Sequence, residues 1–189
     1  MWTIHSNITS VIDRIHSRLK QMQPGGAVYD RAVNEAADMQ LKNSIQRIHV
    51  SGIASDGSVI GQYSTTAIYV NPKNSPSSFQ PVGKTGKSTF AKTGQSHLTR
   101  YFDQGYKDYR QQIGLSADKV VLTLRGDLRD GFSLMQTAKG YGLGWRDASL
   151  YELSQKLEQR YGKKIWSPTA DEKTSIVKTI GEKLTIDKG

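Results

Sequence analysis

Apolar residues recur every three or four positions from the start of the chain. Ile4, Ile8, Ile12, Ile15, Leu19 and Met22 form one such stripe, and that spacing puts them on one face of a helix over the first 22 residues. Pro24, Gly25 and Gly26 end it, because proline lacks the donor and tandem glycines cost backbone entropy. Val33, Ala37, Leu41, Ile45 and Ile48 repeat the period, so residues 1–49 read as a pair of helices. Beyond His49 the pattern shortens. Asp56-Gly57 signals a turn, and Ser58 to Val70 is rich in β-branched and aromatic residues suited to a strand. Asn71 to Gly94 has few apolar residues and holds Pro72, Pro76 and Pro81 among Ser, Gly and Lys, a long loop of the kind that orders on a partner.

The second half predicts more regular structure. Leu98, Phe102, Tyr106, Tyr109 and Ile113 suit a helix over His97 to Ile113, which Gly105 weakens by about 1 kcal/mol. Val120, Leu122 and Leu124 alternate with Val121, Thr123 and Arg125, the clearest period-two signal in the chain. Phe132 and Leu134, then Tyr141, Leu143 and Trp145 beyond an Ala138-Lys139-Gly140 turn, complete a predicted three-stranded meander. Asp147 or Ser149 caps a helix whose buried stripe is Leu150, Leu153, Leu157 and Tyr161 and whose end is Gly162. Thr169 and Glu172 have capping-box spacing for a last helix carrying Ile176, Ile180 and Leu184.

The fold class expected is therefore α+β. An antiparallel sheet of three to four strands is flanked by helices, in a single domain over 1–189. Its parts are the N-terminal helical pair (1–49), a long basic loop or arm (about 57–96), a sheet-and-helix core (97–166) and a C-terminal helix (167–189).

Composition narrows the function classes. With 36% hydrophobic and 8% aromatic residues, the chain is poorer in core material than a typical globular domain, and part of it is expected to order against partners. Cysteine is absent, which excludes disulfides, thiolate metal sites and cysteine nucleophiles. The first 20 residues mix apolar and charged positions without a signal-type apolar run, and no stretch reaches the roughly 18 apolar residues of a membrane span. The expectation is that the protein is made and stays in a cytoplasm-like environment until something assembles it, with no membrane partner.

Net charge is +9, which favours phosphate backbones or acidic protein surfaces. Gly57 to Phe102 contains no acid, yet it holds Lys73, Lys84, Lys87, Lys92 and Arg100, a basic loop that faces DNA or a protein partner, or is simply solvated.

The motifs that suggest catalysis fail on context. Pro81 to Ser88 departs from a phosphate-binding loop where Pro81 replaces the first glycine, and no helical stripe follows. Arg125-Gly126-Asp127 reads as a turn. His5, His16, His49 and His97 lack metal-ligand spacing. Asp127 with Asp130 falls in a turn, and Asp171 with Glu172 falls in a helix's first turn, where acids suit the macrodipole. No catalytic residues, cofactor or metal are expected.

Tyr106-Lys107-Asp108-Tyr109-Arg110, Gly114, the Val120 to Leu124 segment running into Arg125-Gly126-Asp127-Leu128, and Gly142-Leu143-Gly144-Trp145 follow one another in a distinctive order. With the closing Glu158 to Thr169 stretch and Gly61-Gln62-Tyr63-Ser64 upstream, this order resembles the tail-completion and head-tail joining proteins of tailed bacteriophages. The resemblance spans Gly57 to Glu172 and implies a non-enzymatic virion subunit. Such a subunit forms a sixfold or twelvefold homo-oligomeric ring at the head-tail junction, against portal or connector and tail-tube proteins, and passes genomic DNA without sequence preference. A tail terminator is the leading expectation and a portal-proximal connector the alternative. A basic nucleic-acid-binding regulator is the rival from another class.

Overall fold

A computed structural model describes residues 8–71, 85–89, 96–137 and 140–186. The elements are α1 (Ile8–Gln21), α2 (Ala27–Ile45), a π-helical turn (Gln46–Val50), β1 (Ile68–Val70), β2 (Thr85–Thr89), β3 (Ser96–Phe102), α3 (Gly105–Gln112), α4 (Asp127–Asp130), β4 (Phe132–Thr137), β5 (Gly140–Trp145), α5 (Ala148–Tyr161) and α6 (Ala170–Ile186). The α+β class holds. Where one domain is expected from the sequence, the chain divides into two compact units. The first comprises residues 1–43, 133–144 and 168–189; the second comprises 44–132 and 145–167.

The first unit contains α1, α6, most of α2 and most of the β4–β5 hairpin. Along the part of α2 in this unit the buried positions are Ala32, Ala36 and Gln40, one residue ahead of the Val33-Ala37-Leu41 stripe, which is half-buried. α6 runs antiparallel to α2, since Lys183 pairs with Glu35 at 2.6 Å and the Thr179 hydroxyl lies 3.6 Å from Met39 Sδ. Its start is the predicted capping box: the Glu172 N–H donates to Thr169 Oγ1 (3.1 Å) and the Thr169 N–H donates to Glu172 Oε2 (2.8 Å). Thr169→Ala should lower the stability of this unit by about 1 kcal/mol in denaturant titration.

The second unit is built on a three-stranded antiparallel sheet in the order β1-β3-β2. β3 is central, with Val70 opposite Arg100 on one side and Thr85 opposite Arg100 on the other. Two expectations change here. The predicted helix over His97 to Ile113 is a strand followed by a helix. Leu98, Arg100 and Phe102 also satisfy period two, and ladder bonds on both edges outweigh the helical alternative for a β-prone Thr99-Arg100-Tyr101-Phe102 run. Gly105 is therefore the first residue of α3 and not a weak point inside it. Its φ of +68° and its packing against the carbonyls of Ser64 and Thr66 exclude a side chain. β2, in turn, lies inside the stretch read as a loop. The remainder of that stretch, 72–84 and 90–95, falls outside the described residues, as does the predicted Ala138-Lys139 turn.

The Val120 to Leu124 segment, expected as the strongest strand, forms none. The Val120 N–H donates to Gly61 O (3.0 Å) and the Val121 N–H to the Tyr63 hydroxyl (3.1 Å), so these two donors are taken outside any ladder. Val120 and Val121 are both buried, which breaks the alternation. The predicted meander reduces to the β4–β5 hairpin. Ser58 to Val70 contributes only the isolated Ile53–Val59 bridge partner and β1.

Ile48, Ala54, Ile60, Tyr63, Val120 and Ile165 form the core of this unit, with Tyr106, Leu122, Tyr161 and Trp166 packed against it. Beside them Trp145 meets Trp166 edge-on (centroids 4.6 Å apart) and Phe132 (4.8 Å), while its Nε1–H donates to Leu128 O (2.9 Å).

Candidate functional site: an open groove in the second unit

α5 begins where the sequence indicates. Asp147 accepts hydrogen bonds from the Ser149 N–H (2.7 Å) and hydroxyl (2.6 Å), and Gly162 closes the helix at φ +61°. Its C-terminal end is tied down by Glu158, which accepts from the Ile165 N–H (2.7 Å) and the Trp166 N–H (3.3 Å). The stripe expected to be buried is not. Ser154 is the buried residue of α5, whereas Leu153 is 43% exposed and Leu150, Leu157 and Tyr161 are only half-buried.

These four side chains form one wall of a groove of about 980 Å³. Leu122 to Leu128 form the facing wall, and Tyr63, Tyr106 and Arg110 line it on the side of the core. Leu122 to Gly126 form neither helix nor strand and Asp127 and Leu128 begin α4, so this wall lays no strand over the helix. From Leu150 to Tyr161 the apolar wall runs about 16 Å at 1.5 Å per residue.

Arg110 is 2% exposed. Its Nε donates to Ser116 O (2.8 Å), its Nη1 donates to Thr123 O (2.7 Å), and its guanidinium sits 4.4 Å from the centre of the Tyr63 ring. A hydrogen bond with Tyr106 adds a further neutral neighbour. No ion pair among the described residues involves Arg110. Burial pushes the hydroxyls of Tyr63, Tyr106 and Tyr161 above the usual tyrosine range, with Arg110 opposing the shift, so all three stay neutral at physiological pH. The two acids on the groove are already engaged: Asp127 pairs with Arg125 (3.3 Å) and Asp147 caps α5. Arg160 is exposed on the rim.

The residues singled out from the sequence do not meet at this groove. Lys73, Lys84 and Lys92 lie outside the described residues, and Lys87 is known only as a backbone position on β2, opposite Leu98. Arg100 is buried, donates to Gln112 Oε1 (2.7 Å) and stacks 5.1 Å from the Phe102 ring centre; it is packed inside the unit and not presented on a basic surface. Thr85 to Ser88 are extended in β2, so no helix opens at the near-miss phosphate loop. His5 and the His97 side chain fall outside the described residues, and His16 is exposed on α1.

His49 is buried in the π-helical turn. Its Nδ1 lies 3.3 Å from Thr123 Oγ1, its ring is 5.8 Å from that of Trp166, and its Nε2 has no hydrogen-bond partner among the described residues. No group of three or more His, Cys, Asp or Glu that could hold a metal occurs among the described residues, and no helix among them is long and apolar enough to cross a membrane.

The groove is what sequence reading missed. Its signals were present separately, as an apolar stripe on α5 and an arginine inside an aromatic cluster, but nothing local says that the stripe stays uncovered. Family models, curated proteins and solved structures contain no match to this chain.

Proposed function

We propose that this chain is a structural subunit of a tailed-phage head-tail junction, a tail-completion or terminator ring protein, which acts by binding other proteins. One observation carries the reading. A core-type stripe of leucine, leucine, leucine and tyrosine on a well-capped helix is left open along a groove, and contiguous apolar surface of this kind marks a protein-binding face. The segment order from Tyr106 to Thr169 supports the phage assignment, and that order supplies both groove walls. A portal-proximal connector is the alternative position in the same assembly.

Light scattering and negative-stain microscopy of the purified protein, alone and mixed with portal and tail-tube proteins of the same genome, test this. Sixfold or twelvefold rings, or a monomer that assembles only on those partners, are expected. A stable monomer that joins neither partner overturns the proposal. Sequence-selective duplex DNA binding with a roughly thousandfold preference would favour the nucleic-acid regulator instead.

A further inference from the structure

The groove has an electrostatic deficit as well as an apolar wall. Arg110 is a buried cation whose hydrogen bonds go to carbonyls and a tyrosine hydroxyl, with no carboxylate beside it among the described residues. Taking a charge out of water without a counter-charge is costly, and carbonyl dipoles compensate only in part. The groove's own acids are committed to Arg125 and to the α5 N-terminus, which leaves Arg110 and Arg160 as its uncompensated charges. The whole chain carries +9, so a second copy brings like charge to this surface, while an acidic partner is drawn to it.

We infer that the groove binds an acidic amphipathic helix of another protein, whose apolar face lies along Leu150, Leu153, Leu157 and Tyr161 and whose carboxylates face Arg160 and the Arg110 end of the groove. The apolar wall, about 16 Å long, matches about three helical turns, enough for anchors at i, i+4, i+7 and i+11. This inference rests on the protein-binding reading of the groove and adds the chemistry of the occupant.

Two synthetic helical peptides provide the probe. They share leucines at i, i+4, i+7 and i+11, and carry either glutamate or lysine at the flanking positions. Methyl NMR of the full-length protein should show the glutamate peptide shifting the Leu150, Leu153 and Leu157 signals and binding at least tenfold more tightly than the lysine peptide. Leu153→Asp should abolish binding of both, and Arg160→Glu, an exposed substitution that does not perturb the core, should reverse the preference. Equal binding of the two peptides, or no movement of the leucine methyls with either, overturns the inference. Concentration-dependent self-association that Leu153→Asp removes also overturns it, because the occupant is then a second copy. Failure of the assembly reading is separately visible. Glutamate-selective binding without rings or neck assembly leaves the groove inference standing and removes the phage assignment, whereas normal rings or neck assembly without glutamate-selective peptide binding does the reverse.

Discussion

Arg47→Ala should destabilise the second unit by about 3 to 5 kcal/mol, a large fraction of the stability of a typical domain. Arg47 is 9% exposed, and its guanidinium reaches across the sequence. Nη1 donates to Ile53 O and Ile165 O, and Nη2 donates to Ser167 O, each at 3.0 Å. One side chain at the π-helical turn therefore holds the loop that follows it and the segment after α5. Alanine removes three charge-assisted hydrogen bonds, of which the one to Ile165 O is buried and those to Ile53 O and Ser167 O are part-buried, at about 1 to 3 kcal/mol for each carbonyl left unsatisfied. Lysine should not restore the loss, because a single ammonium cannot match the planar fork that reaches carbonyls in different directions. Urea denaturation followed by tryptophan fluorescence should report the change, since Trp145 and Trp166 both lie in this unit. A loss under about 1 kcal/mol would show that water replaces the guanidinium.

Acidification should weaken the same unit through His49. Burial, helped by the nearby charge of Arg129, lowers its pKa from 6.5 to about 4; a backbone hydrogen bond at Leu122 and the charge of Asp130 oppose the shift. The folded protein keeps the ring neutral, whereas the unfolded chain protonates it below pH 6.5. Between those two values the unfolded state binds more protons, so stability falls as pH drops from 6.5 towards 4, by at most about 3 kcal/mol. His49→Phe should remove this component. The difference in urea midpoint between the two proteins, measured from about pH 7.5 to about pH 4.5, isolates it from the titration of the carboxylates. Parallel pH profiles would mean that the buried ring is protonated without penalty or that the folded state rearranges to hydrate it.

His49 and Arg47 also mark where sequence reading runs out. A histidine at the end of an apolar-periodic helix reads as a helix-surface or interface residue, and the arginine two positions before it carries no signal of its own. Here α2 passes into a π-helical turn, with the Ser51 N–H donating to Gln46 O (2.9 Å), and the extra residue in that turn rotates Arg47, Ile48 and His49 together into the core. Nothing in the local pattern signals the added residue.

Elements governed by local chemistry were legible in the sequence alone. The Asp147 cap and Gly162 terminus of α5, the Thr169–Glu172 capping box of α6, the paired N-terminal helices and the β4–β5 hairpin are set by interactions within a few residues, and those interactions are present in any context. The α+β class follows from them. Tertiary structure decided the rest. Ser96 to Phe102 became a central strand because two neighbours were available to pair with it, whereas in Val120 to Leu124 the Val120 and Val121 donors go to Gly61 O and the Tyr63 hydroxyl instead of a ladder. The α5 stripe became a groove wall for the same reason: periodicity shows which face of a helix is apolar, but whether that face is covered depends on what lies opposite, and here Leu122 to Gly126 form no strand to cover it.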